Sequence, residues 1–224
     1  MKKSVIIVAG GSGSRMSSDI PKQFLLIGNH PILMHTIKRF YDYDKTIQII
    51  LVLPSSQQLF WQSLCQKHDF TISHTIANGG ETRFHSVKNG LECISDDFIV
   101  AIHDGVRPFV SRETIERCFE TAAKKGNAIP AIEVVDSLRF VNKNENTSVS
   151  RNDYRLIQTP QVFKSFLIKK AFAQAYDTSF TDDAGVLEKM GETLFLVEGN
   201  KENIKITTPY DLLIANAILK ANNL

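Results

Sequence analysis

The chain has 224 residues, of which 43% are hydrophobic and 22% charged, ordinary values for a globular protein with room for one α/β domain and a good core. A net charge of +2 lacks the electrostatic footprint of a nucleic-acid or anionic-membrane binder, no stretch approaches the ~18 apolar residues of a membrane span, and the short apolar start runs into glycines rather than a signal-peptide cleavage site. Cys65, Cys93 and Cys118 are odd in number and far apart, so they read as reduced, mostly buried residues of a cytoplasmic protein.

In chain order, Val5-Ile6-Ile7-Val8-Ala9 reads as a strand buried on both faces. It runs into Gly10-Gly11-Ser12-Gly13-Ser14-Arg15-Met16, and Pro21-Lys22-Gln23 follows. Pro31 opens a helix whose Ile32, Met34, Ile37 and Phe40 keep helical spacing. Residues 46–53 form a second buried strand, and Ser55 caps a helix with Leu59, Phe60, Leu64 and Cys65 on one side. Residues 71–77 alternate as a third strand ending at Asn78-Gly79-Gly80, before a helix over 82–93 and a strand over 98–102. Next come His103-Asp104-Gly105-Val106-Arg107-Pro108, a helix capped by Ser111 through about Lys125, and a strand over 128–134. This alternation predicts parallel strands joined by helices on both faces of a twisted, Rossmann-like sheet.

From residue 134 to 163 the rhythm changes to a β-hairpin arm with a polar tip at 142–148. A lone two-stranded arm is marginal in water, so it is expected to pack on a second subunit. Helices follow over about 164–175 and 182–190, with a strand over 193–197, and Thr208-Pro209 starts the last helix.

The glycine loop points to phosphate. Three glycines in four positions allow the backbone to approach a ligand that any Cβ would block, consecutive N–H groups in such a turn form an anion-binding concavity, and Arg15 and Lys22 supply cations that a plain tight turn does not need. Two familiar phosphate motifs are absent: Met16 stands where a dinucleotide fingerprint needs its third glycine, and no Gly-Lys-Ser/Thr triplet follows. Ligands of such sheets bind beyond the carboxyl ends of the strands. The loop, Asn78-Gly79-Gly80 and His103-Asp104 all fall there.

With these stretches, Gly79-Gly80-Glu81, Thr159-Pro160-Gln161, Thr181-Asp182-Asp183-Ala184 and Asn203-Ile204-Lys205 in order, the chain resembles the 2-C-methyl-D-erythritol 4-phosphate cytidylyltransferase family from about Val5 to Ala217. The resemblance implies one nucleotidyltransferase domain over residues 1–224 that transfers the cytidylyl group of CTP to 2-C-methyl-D-erythritol 4-phosphate with release of pyrophosphate, and a homodimer formed through the arm at about 134–163. It implies that Arg15 and Lys22 are catalytic, stabilising charge at the α-phosphate, and that Ala9, Gly10, Gly11 and Gly13 wrap the triphosphate. Gly80, Glu81 and Ser86 fall where the family holds cytosine, and Lys205 at a phosphate contact. Asp104 matches the acid near Mg²⁺, and Arg107, Ser137, Arg151 and Thr181 match acceptor-binding positions, with Ser137 and Arg151 serving the partner's site.

The chemistry agrees with the residue types. A phosphate monoester, with a second pKa near ~6, is already an anionic nucleophile at neutral pH. The reaction therefore asks for positioning, cations and Mg²⁺ rather than a general base, and a single carboxylate suffices for Mg²⁺ that also takes phosphate oxygens. His103 reads as a hydrogen-bonded structural histidine, and His85 has no assigned role. The chain departs from the family's usual wording at Val8-Ala9, Glu81, Gly105-Val106, Ser137 and Gly185, which spares every cation and leaves the polyol open. Ribitol-5-phosphate cytidylyltransferase is the alternative enzyme, and a CTP sensor without turnover the alternative of another class.

Overall fold

The computed structural model describes residues 1–10 and 20–221. Strand β1 (Lys2–Val8) leads to a 3-10 turn at Lys22–Phe24, a two-residue ribbon β2 (Leu26–Ile27) and β3 (His30–Pro31), and helix α1 (Ile32–Tyr43). Then come β4 (Gln48–Leu53), α2 (Ser55–Lys67), β5 (Thr75–Asn78), α3 (Arg83–Glu92), β6 (Phe98–Asp104), α4 (Arg112–Lys125) and β7 (Asn127–Glu133). A hairpin of β8 (Leu138–Val141) and β9 (Asn146–Val149) precedes β10 (Arg155–Ile157), β11 (Gln161–Lys164), α5 (Ser165–Phe172), α6 (Asp183–Glu188), β12 (Leu196–Glu198) and α7 (Pro209–Ala221). Among the described residues no helix is long and apolar enough to cross a membrane.

The central sheet runs β10-β7-β11-β6-β1-β4-β5, with β12 beside β7. Strands β6, β1, β4 and β5 are mutually parallel, so their carboxyl ends share one edge of the sheet. The mostly parallel α/β architecture is thus as the strand–helix alternation predicts. The return of the arm is different. Only residues 138–149 make the free hairpin, and the chain then re-enters the sheet as β10, antiparallel to β7, and as β11, antiparallel to both β6 and β7. Apolar Val162 and Phe163, both fully buried, explain why this segment belongs in the sheet rather than on an arm.

Side-chain alternation builds two core layers. Val5, Ile7, Ile49, Leu51, Ile99 and Ala101 face α1, α2 and α4, while Ile6, Ile50, Val52, Val100 and Ile102 face α3, α5 and α6. Each fully buried side chain of this size contributes about 1.5–3 kcal/mol relative to exposure. A smaller cluster of Ile27, Ile32, Val106, Phe109, Ile206 and Ala215 seats α7 beside the site.

Several local expectations are corrected. On α2 the buried residue is Trp61, whose Nε1–H donates to His74 Nε2 at 2.9 Å, while Leu59 and Phe60 are exposed by 79% and 41%. Leu64 and Cys65, as expected, are half-buried and pack against the core beside Trp61. Pro54, with no side-chain cap, holds the N-cap position given to Ser55. Strand β5 begins at Thr75 rather than Thr71, because only Thr75–Asn78 pair with β4 and His74 turns its ring to Trp61. Cys118 is buried, but Cys65 is half-buried and Cys93 exposed. Ser111 and Thr208 do cap α4 and α7, and Thr82 also caps α3.

Candidate active site

The sheet ladder runs one residue past the strand ends. Ala9 N–H donates to Val52 O at 3.0 Å, Gly79 N–H to Leu53 O at 2.8 Å and Gly105 N–H to Val8 O at 2.8 Å. Three loops therefore leave the sheet from fixed points on one edge. Gly105 sits closely there, since a Cβ would lie 2.9 Å from Ala9 Cβ and 3.1 Å from Val8 O and would push the two loops apart slightly. Between the loops lies a cavity of about 200 Å³ lined by Ala9, Gly10, Lys22, Gly80, Glu81, Ser86, Asp104 and Lys205, all expected on sequence grounds, and by Gln23, Thr82 and Arg83, which were not.

One wall is backbone. Gly80 N–H donates to Ser86 Oγ at 3.0 Å, and Thr82 Oγ1 caps the first turn of α3. A Cβ at Gly80 would lie 2.4 Å from His85 Cβ, so only glycine lets the loop rest against the helix. Lys22 is presented by a turn anchored on both sides: Gln23 Nε2 donates to Ala9 O at 2.7 Å and Gln57 Oε1 at 2.6 Å, and Phe24 packs between Phe60 and Trp61.

The floor is Asp104, 7% exposed and ringed by cations. Arg107 Nε and Lys205 Nζ each lie 3.1 Å from Oδ2, and Arg83 Nε lies 3.7 Å from Oδ1. Burial pushes this carboxyl up, but Arg83, Lys205 and Arg107 outweigh it and hold it well below the usual carboxylate range. Arg107 is fixed in turn, since its Nη1–H donates to Asn203 O at 2.7 Å. This contact explains the Asn203-Ile204-Lys205 motif, which brings one cation and positions another.

His103 is structural, as its sequence setting implied. It is fully buried, and burial lowers its pKa to about 4. A neutral ring then accepts from Thr159 Oγ1 at 3.0 Å and donates from Nε2 to Arg107 O at 3.0 Å, while Asp104 N–H donates to Thr159 Oγ1 at 3.1 Å. This relay runs from the Thr159-Pro160-Gln161 motif to Asp104.

Arg83 is the principal residue that sequence reasoning missed. Its Nη1 and Nη2 fork onto Asp183 Oδ1 and Oδ2, both at 2.6 Å. Burial pulls the guanidinium down, yet Asp183, Asp104 and Asp182 together hold it above its ordinary value. No local signal could reveal a pair separated by 100 residues.

Other expected residues lie elsewhere. Thr181 is exposed and lines a neighbouring cavity of about 440 Å³, two residues from Asp183. Ser137 is exposed, and Arg151 donates to Val135 O beside Arg155; neither lines the Asp104 cavity. Gly11, Gly13 and Arg15 lie outside the described residues.

A family model described as IspD, 2-C-methyl-D-erythritol 4-phosphate cytidylyltransferase, matches residues 4–221. The protein of that name from Bacteroides fragilis is 56% identical over 219 residues, covering 98% of this chain and 100% of the relative. Its counterpart from Porphyromonas gingivalis is 48% identical over 219 residues, with 97% and 98% covered. Among solved structures, the 2-C-methyl-D-erythritol 4-phosphate cytidylyltransferase of Thermus thermophilus aligns with a TM-score of 0.80 at 33% identity, covering 98% of this chain and 100% of that one. The 4-diphosphocytidyl-2C-methyl-D-erythritol synthase of Anaerococcus prevotii aligns with a TM-score of 0.83 at 28% identity, with 98% and 96% covered.

Proposed function

The chain belongs to the 2-C-methyl-D-erythritol 4-phosphate cytidylyltransferase family, and from that premise we propose that it transfers the cytidylyl group of CTP to 2-C-methyl-D-erythritol 4-phosphate. The products are 4-diphosphocytidyl-2-C-methyl-D-erythritol and pyrophosphate, a step of the non-mevalonate isoprenoid pathway. The observation that carries the reading is the buried, ionised Asp104 with Arg83, Arg107 and Lys205 around it, next to Lys22 and a backbone-lined recess at Gly80.

In the reaction an oxygen of the acceptor phosphate attacks the α-phosphorus of CTP. The bond from that phosphorus to the α–β bridging oxygen breaks, and pyrophosphate carries away the electron pair. The acceptor oxygen is already anionic, so no residue needs to remove a proton. His103, neutral and bonded at both nitrogens, is not arranged to do so. Lys22 and Lys205 stand at the cavity wall as point charges for the phosphates, and Arg107 is oriented by Asn203. Arg15 shares the transition-state charge with Lys22 in this reading. The narrow recess at Gly80 and Ser86, read by backbone groups, favours a pyrimidine over a purine.

The donor set fits Mg²⁺. Asp104 is ionised, its Oδ1 has only the long contact to Arg83 among the described residues, and no cluster of three protein ligands is found among them. A magnesium ion of this kind takes one carboxylate and completes its shell with phosphate oxygens and water. Asp104 would hold it, and the bound ion supplies charge neutralisation across the phosphates.

We take the enzyme to be a cytoplasmic homodimer. Val135, Phe140, Val141, Tyr154, Leu156 and Ile157 are exposed by 40–70% along the hairpin and its return, a surface suited to a second copy. Ser137 and Arg151 lie away from their own cavity, which supports their serving the partner's. The free cysteines suit a reducing compartment. Pyrophosphate release from CTP, measured with methylerythritol phosphate and with ribitol 5-phosphate, tests the acceptor; turnover of ribitol 5-phosphate alone overturns it.

A further inference from the structure

Arg83 stands between the two halves of the site. Its backbone begins α3, the helix that carries Ser86 at the nucleotide recess, and its side chain crosses to Asp183, the first residue of α6. Asp183 is 1% exposed, and both of its oxygens are taken by the guanidinium. The fork leaves Arg83 planar and fixed, with its Nε edge turned to Asp104. The turn it holds is gripped from the sheet as well. Gln161 Nε2 donates to Asp182 Oδ2 at 2.7 Å, and Gln161 Oε1 accepts from Ala184 N at 2.7 Å. Thr181 enters this clamped turn directly.

Arg83 lines the cavity, but the contacts that shape its nucleotide recess form without the Arg83 side chain. Thr82 caps α3, and Gly80 bonds Ser86, without it. Loss of the fork thus removes one of the two holds on the Thr181–Asp183 turn, leaving Gln161 as the other, and takes a cation from Asp104, while the Thr82 cap and the Gly80–Ser86 bond remain. We propose that Arg83, forked on Asp183, is a positioning residue that holds the acceptor side of the site, the Thr181–Asp183 turn, in register with Asp104. The inference rests on the transferase reading above and adds a residue to its acceptor side.

The test is a cycle of Arg83→Lys, which keeps the charge but loses the fork, Asp183→Asn, and the two combined. It is run with whichever polyol phosphate the wild-type protein turns over, so a wrong acceptor assignment is recognised separately by the wild-type protein's own preference. Each single variant raises the KM of the polyol phosphate about tenfold, as loss of an outer-shell partner does, with the KM of CTP changed by less than about twofold. The double variant is no worse than the worse single. A third variant, Arg83→Met with Asp183→Leu, replaces the pair by apolar packing that generally preserves folding. It too has a raised acceptor KM. Equal rises in both KM values, or wild-type KM values in the apolar variant, or activity losses that only follow the folded fraction in thermal melts, overturn the proposal.

Discussion

Replacing Asp104 by asparagine should have opposite effects on stability and on metal-free nucleotide binding. In the free protein the carboxylate is the counter-ion of Arg83, Arg107 and Lys205, whose side chains are 30%, 12% and 41% exposed. Breaking a fully buried pair costs about 3–5 kcal/mol, and the partial exposure of these cations reduces that to roughly 2–3 kcal/mol. For a chain of this size the melting temperature should fall by about 4–12 °C. The sign with pH follows from the lowered pKa. Asp104 contributes its stability above the unfolded carboxyl value of about 4 and loses it as pH falls through the folded value. The variant should therefore melt below wild type at neutral pH and converge with it in strong acid. CTP in the presence of a chelator should bind the variant more tightly, because a unit charge near the phosphates at an effective dielectric of about 20–40 is worth roughly 1–2 kcal/mol, or about tenfold. Turnover with Mg²⁺ should nevertheless fall by about 100-fold or more. Calorimetry with and without chelator, alongside melts from acid to neutral pH and a turnover assay, reads all three. Unchanged melting together with unchanged or weaker metal-free binding would refute the counter-ion argument.

Lys22→Ala should lower kcat by about 100-fold or more while changing CTP affinity far less, if its charge acts mainly in the transition state; equal losses in single-turnover rate and binding would mean simple substrate binding. Gly80→Ala should cost about 1–3 kcal/mol in denaturant unfolding and weaken CTP binding, because the new Cβ must displace His85 from 2.4 Å. Arg151→Ala should be nearly inactive, yet recover part of its activity when mixed with Lys22→Ala protein. No recovery after subunit exchange verified by tagged copies would place Arg151 in its own subunit's site.

What was legible in the sequence is what neighbouring residues decide. Val5 to Val8 reads as a central strand because both faces are apolar, and Ser111 and Thr208 announce their helices by local hydrogen bonding. Gly10, Gly80 and Asp104 were recognisable as one site because parallel strands deliver their carboxyl ends to one edge, whereas Lys205 was legible only through the family resemblance. The insertion of β11 between β6 and β7 is a long-range pairing, and an apolar Val162-Phe163 fits an arm strand or a central strand equally well until its partners are known. Arg83 was invisible for the same reason, its meaning residing in Asp183. The Thr-Pro-Gln and Thr-Asp-Asp motifs could be matched but not explained; the bonds from Gln161 to Asp182 and Ala184 supply the reason.

The central claim is attack at the α-phosphorus by an acceptor phosphate. Its most direct measurement follows the fate of CTP labelled at the α-phosphorus and, separately, at the γ-phosphorus, with methylerythritol phosphate as acceptor. The α label should appear wholly in the diphosphocytidyl polyol and the γ label wholly in pyrophosphate. A γ label found in the polyol product, or an α label released without any polyol adduct, would contradict the account.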